Sequence, residues 1–178
     1  MKSNQVQLAT SSSDLKALVK STAKKSGQPI ILAPVDFSEH SRAALVQACE
    51  LAQLLPATLV VLHVVHDPGE MPGYYSKLVK KKRATRMQDI AAAAFDEFME
   101  QTIEANPQCE PLLDAPRLMV IGLPVTRILE VVKHLEPIMV VMGSQGRTGL
   151  KHLVIGSKAT QIVQLCPVPV TIVKNKES

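Results

Sequence analysis

The sequence predicts an α/β domain: a doubly wound, open five-stranded parallel sheet with helices on both faces. Three observations predict it. Five short, nearly continuous apolar runs recur along the chain, and runs without polar alternation suit strands covered on both faces. Four segments of helical period separate them, and right-handed crossovers between parallel strands then place helices on both sides of one sheet. The chain has 178 residues, 46% apolar and 20% charged, enough for one compact domain and too little for two.

Taken in order, residues 1–28 are rich in Ser, Lys, Thr and Gln, with one weak amphipathic patch at Leu15, Leu18 and Val19. They read as a polar tail with room for one short helix, ahead of the α/β domain that begins at Pro29. The first strand is expected at 30–35. A stripe of Ala44, Leu45, Ala48, Cys49, Leu51, Ala52 and Leu55 follows, with Ser38 placed to cap its helix. The second strand is expected at 58–65. Residues 67–77 hold Pro68-Gly69 and Pro72-Gly73 and read as a loop, either a lid or a plain connection. A longer stripe runs from Met87 through Phe95 and Phe98 to Ile103. The third strand is expected at 117–121, and Pro124 stands at the first position of a helix carrying Val125, Ile128, Leu129, Val132 and Leu135. The fourth strand is expected at 138–142. A last helix, with Ser157 as its cap and Ala159, Ile162, Val163 and Cys166 as its stripe, leads to a fifth strand at 168–173.

Composition excludes several functions. Twenty Lys and Arg against sixteen Asp and Glu leave a net charge of +4, too mild for a dedicated nucleic-acid binder. Aromatics are 3% with no Trp, so a base-stacking platform has nothing to be built from. The basic run at Lys80, Lys81, Lys82, Arg83 and Arg86 reads as a solvated helical face. Three scattered cysteines without C-x-x-C spacing give neither a disulfide framework nor a zinc knuckle and suit a reducing cytoplasm. No run is apolar enough for a membrane span, and the first residues lack a secretory core. The five histidines show no metal spacing, and His63, inside an apolar run, reads as a core residue.

In such a sheet a ligand is expected beyond the carboxyl ends of the strands, where neighbouring crossovers leave in opposite directions. The stretch after the fourth run, from Gly143 to Ser157, is the most informative there. Gly143 and Gly146 would bring backbone close to a ligand at positive φ, and Gly156-Ser157 opens a helix whose first N–H groups lack internal partners. A phosphate satisfies such groups, with Arg147, Lys151 or Lys158 as cation. The spacing fits neither a Walker loop nor G-x-G-x-x-G, and by itself it equally describes a tight β/α connection that binds nothing.

Gly143-x2-Gly146-x9-Gly156-Ser157 resembles G-x2-G-x9-G-[ST], the ATP-binding motif of the universal stress proteins. The resemblance extends to Pro34-Val35-Asp36-Phe37-Ser38, His63-Val64, Val120-Ile121-Gly122-Leu123-Pro124 and Cys166-Pro167-Val168-Pro169-Val170. It covers about residues 29–174. It implies strand order 3-2-1-4-5, a homodimer formed through the C-terminal strand, and ATP in the crevice, with magnesium held by phosphate oxygens. It further implies that Asp36 and the backbone near Pro34, Val35 and Val64 meet adenine or ribose. Gly122 and Met142 would line the nucleoside, while Gly143, Gly146, Arg147, Gly156 and Ser157 hold the phosphates. Asp36 also reads as a turn residue ahead of the first helix. The expectation is a cytoplasmic, regulatory nucleotide binder with a protein partner. With no activated nucleophile or carboxylate dyad in view, slow hydrolysis or self-phosphorylation at Ser144, Thr148 or Ser157 is the most turnover expected. The competing readings are a nucleotidyl transferase or α-phosphate hydrolase on the same fold, and a nucleotide-free dimeric scaffold.

Overall fold

The computed structural model describes residues 5–65, 76–146 and 155–175. Side chains of Ser12, of residues 23–26 and of residues 76–86 lie outside the description, so the basic run is placed only as helix backbone. Most of the expected 67–77 loop lies outside it altogether.

The elements in order are β1 (Gln7–Ala9), α1 (Ser12–Ser26), β2 (Ile30–Val35), α2 (Glu39–Leu54), β3 (Thr58–Val65) and α3 (Ser76–Ala105), then α4 (Pro111–Asp114), β4 (Arg117–Ile121), α5 (Pro124–Leu135), β5 (Met139–Gly143), α6 (Ser157–Leu165) and β6 (Val170–Val173). All strand pairs are parallel, in the order β1-β4-β3-β2-β5-β6. The five expected strands therefore stand in the order 3-2-1-4-5, and the expected count is corrected to six by an added edge strand.

The sixth strand comes from the segment that reads as a polar tail. Gln7, Leu8 and Ala9 pair with Leu118, Met119 and Val120. The helix that follows is better specified than its weak patch suggests. Ser11 accepts from the Asp14 N–H while the Asp14 carboxylate takes the Ser11 N–H, a reciprocal capping box, and Gly27 ends the helix in the left-handed region. Leu15 and Val19 are fully buried, and the helix lies against α5. Three apolar residues at the right period suffice because β4 and α5 offer a ready apolar wall; a window over the tail alone does not register that wall.

Two apolar clusters flank the sheet. One joins α2, α3 and α4 to the face bearing Ile31, Ala33, Leu59 and Val61. The other joins α1, α5 and α6 to the face bearing Leu32, Val60, Leu62 and Val140. Every residue of β2 is buried, which is why that run shows no alternation. α4 is a single turn not anticipated from the sequence, with Pro111 in its first turn.

Candidate functional site

β2 leads through α2 to β3 on one side, while β5 leads through α6 to β6 on the other. The switch point lies between β2 and β5. These two strands pair only at Ile31 with Met139 and Leu32 with Val140, and beyond that they part. Ile30 offers its carbonyl to Ile138 and Pro29 to Thr58, so even-numbered residues of β2 face β5. Pro34 faces that way with no N–H to give, and its place in a central strand marks where the ladder stops.

Asp36 stands at the head of this opening. Its Oδ1 accepts from the Ser38 N–H at 3.2 Å and the Ser38 hydroxyl at 2.6 Å, and its own N–H donates to Ser41 Oγ at 3.3 Å. Phe37, inside that turn, has φ 65°, a left-handed conformation that the surrounding bonds and ring contacts must hold in place. Its ring stacks on His63 at 4.0 Å and lies near Phe95 and Phe98. His63 Nδ1 lies 2.8 Å from the Val35 carbonyl, which requires a proton on that nitrogen. Its ring thus props the end of β2. α2 is closed at its start, because Ser38 Oγ accepts from the Ser41 N–H.

Two motif glycines, Gly143 and Gly146, mark approaches too close for a side chain, and the third, Gly156, anchors the loop by its N–H. A Cβ on Gly143 would lie 2.8 Å from the carbonyl carbon and oxygen of His40, so β5 ends against the first turn of α2. A Cβ on Gly146 would lie 2.5 Å from Asp36 Oδ2. Gly156 donates to the Ser144 carbonyl at 2.7 Å, and a Cβ there would lie 3.4 Å from that oxygen. Ser144, itself buried, donates its N–H to Val173 at 2.8 Å. Both ends of the 147–154 connection are thereby pinned together beside Asp36. The expectation of positive φ at Gly143 and Gly146 is corrected. Among the described glycines only Gly27 and Gly122 have it; Gly143 and Gly146 are instead short of space for a side chain.

Ser157 does not cap α6. Gly156 holds the N-cap position with φ −68° and ψ 154°, no side chain caps it, and Ser157 is the exposed first residue of the helix. The amino end of α6 is thus left open where that of α2 is closed.

The structure gathers Pro34, Val35, Asp36, Met142, Gly143, Gly146, Gly156 and Ser157 around one end of the sheet. Arg147, with Lys151, lies outside the described residues. Met142 is buried in the α5–α6 cluster. Val64 is half-buried opposite Val120, and Gly122 lies beyond β3, donating to the Val65 carbonyl at 3.0 Å. Gly122 has φ 140°, and Arg127 lies across it, its Nε 2.7 Å from where a Cβ would stand and 2.7 Å from the Ile121 carbonyl oxygen. Arg127 also bonds Glu130 at 2.6 Å. The sequence gives no signal for Arg127 or for the Phe37 conformation, whereas Ser41 is legible in the S-x-x-S spacing after Asp36.

Residues 29–174 match the description of the universal stress protein family. The chain belongs to this family. It is 26% identical over 165 residues to universal stress protein MJ0577 of Methanocaldococcus jannaschii, covering 83% of this chain and 96% of that protein. The solved structure of universal stress protein UspA from Lactobacillus plantarum superposes with TM-score 0.59 at 25% identity, over 82% of this chain and 97% of that one. A universal stress protein crystallised in complex with cAMP superposes with TM-score 0.58 at 18% identity, over 83% and 97%. The family match begins after Gln28, so β1 and α1 are additions to the matched universal stress protein region. No helix among the described residues is long and apolar enough to cross a membrane, and no group of His, Cys, Asp and Glu among them is arranged to hold a metal.

Proposed function

We propose that this universal stress protein binds ATP in the opening between β2 and β5 and acts as a regulatory homodimer. The observation that supports the reading best is the pinned loop. Gly146 lies against the Asp36 carboxylate, so one short segment brings a ribose-type acceptor and a backbone path for phosphates together. The uncapped amino end of α6 supplies N–H donors and positive dipole to an anion. Asp36 takes ribose hydroxyls, Val64 and the end of β2 read the adenine edge through main-chain groups, and Gly143, Gly146, Gly156 and Ser157 line the phosphates with Arg147 as cation. Magnesium, when bound, is held chiefly by phosphate oxygens and neutralises their charge. A relative of this fold carrying cAMP fits the same adenine chemistry. The role is a shift of populations between partner-binding states, with the C-terminal strand as a readout surface.

Thermal denaturation with nucleotides tests this. Mg-ATP at about 100 times its dissociation constant adds about 2.7 kcal/mol and raises the melting temperature by several degrees. An unchanged melting curve at millimolar Mg-ATP overturns the assignment, and a shift with cAMP or AMP alone redirects it to a monophosphate.

A further inference from the structure

Cys49 on α2 and Cys109 in the turn before α4 are far apart in the chain, yet both are buried in one apolar cluster. Two independent contacts bring them together. Gln53, one helical turn after Cys49 on the same face of α2, donates to the carbonyl of Gln108 at 2.9 Å, which sets the turn carrying Cys109 over the turn carrying Cys49. The two thiols are neighbours inside the cluster, and Cys109 is one of the groups that raise the Cys49 thiol. Cys166 lies far away, packed beside α5 and α6. Nothing in the nucleotide site uses the pair.

We propose that Cys49 and Cys109 form an internal dithiol that peroxide converts into a disulfide, tying α2 to the turn between α3 and α4. The reaction balances with hydrogen peroxide as the oxidant. One thiol sulfur takes an OH from the peroxide and becomes a sulfenic acid, releasing one water. The second sulfur displaces that OH, so the S–S bond forms as the S–O bond breaks and a second water leaves. Both sulfurs are oxidised, both peroxide oxygens are reduced, and the two thiol hydrogens end in water.

The surroundings shape the reaction. Burial and the neighbouring thiol push Cys49 up to about 12 from its ordinary 9.0, so the thiolate is scarce at neutral pH and oxidation is slow. It proceeds when the turn opens. That turn is lightly held along its backbone: its main-chain bonds from Asn106 to Leu113 are short-range, α4 has no side-chain cap and Leu113 is exposed, so the Gln53 side chain supplies the long-range bond that must break. The same burial keeps a bulky thiol such as glutathione from capping either sulfur, which favours the internal bond over a mixed disulfide.

The test incubates the full-length protein with hydrogen peroxide, blocks remaining thiols under denaturing conditions, and maps peptides by mass spectrometry. The expected result is a linked Cys49–Cys109 peptide two hydrogens lighter than its reduced parts, formed faster at higher pH, in wild type and in Cys166→Ser. The oxidised protein melts about 5 to 10 °C above the reduced one, because the bond closes a long loop. Cys49→Ser and Cys109→Ser form no such link, but the wild-type peptide map decides the matter even if these variants fold poorly. Recovery of both residues as free, blockable thiols while Cys166 is oxidised overturns the proposal, as does a link to Cys166 or to a second chain.

Discussion

Gly143 and Gly146 are glycines for different reasons, and the difference is measurable. The obstacle to a side chain at 143 is main chain, the His40 carbonyl group at 2.8 Å, which cannot move without displacing α2. Gly143→Ala therefore lowers stability, by about 1–3 kcal/mol in urea unfolding. The obstacle at 146 is a side-chain atom, Asp36 Oδ2 at 2.5 Å. Gly146→Val lowers the unfolding midpoint less than Gly143→Ala does, because a side chain and not main chain must give way, but it displaces the carboxylate and blocks the loop, so the melting shift with Mg-ATP disappears; a retained shift places the nucleotide elsewhere. Cys49 carries a pH signature. Its folded value of about 12 lies above the ordinary 9.0, so above pH 9 the unfolded chain loses a proton that the folded one keeps. The contribution is complete below pH 9 and is lost as pH rises towards 12. Urea midpoints of wild type fall from pH 8 to pH 10.5, and Cys49→Ala, less stable throughout, falls less steeply.

At the scale of elements, what was legible in the sequence depended on where each residue's partners lie. β2 and β3 were readable because each carries its whole apolar content in one run, and α5 because Pro124 and the stripe after it are local signals. The start of α6 was misread by one residue because serine at 157 and glycine at 156 both suit a cap, and the bond from Gly156 to Ser144, which decides between them, is non-local. β1 was missed because three residues with one buried side chain show no pattern of their own. At the site, the glycines were legible as a motif but their physical role was not. The approach of Gly146 to Asp36 depends on two strands standing side by side, which chain spacing does not encode. The energetic weight of the N-terminal addition follows from its burial. Leu15→Ala, at a residue 1% exposed on α1, costs about 2–5 kcal/mol in urea unfolding. The Mg-ATP shift persists in the folded variant because α1 lies on the far flank of the sheet from β5; loss of under 1 kcal/mol would mean that α1 is not docked in solution.

For the whole molecule, the two edges of the sheet differ. On the β4 side the added β1 is three residues long and is followed at once by α1, a short edge of the kind that resists pairing. On the other side β6 ends the sheet half-buried along its length, and Val163 and Leu165 on the neighbouring α6 stand 49% and 60% exposed. An apolar edge beside exposed apolar side chains suits isologous pairing of two copies, and blocking the opposite edge favours a closed dimer over an open filament. The ladder fixes which groups such pairing would use. Pro169 and Val173 give their carbonyls to Val140 and Ser144, so Val170 and Ile172 direct their N–H groups away from β5. Val170→Pro removes one outward donor, keeps an apolar residue of similar size and spares the bonds to β5. Sedimentation equilibrium then gives a dimer for wild type and a monomer for Val170→Pro, with native circular dichroism in both. A dimer that survives this substitution and dissociates instead on Leu165→Glu would move the contact from the strand edge to the exposed face of α6.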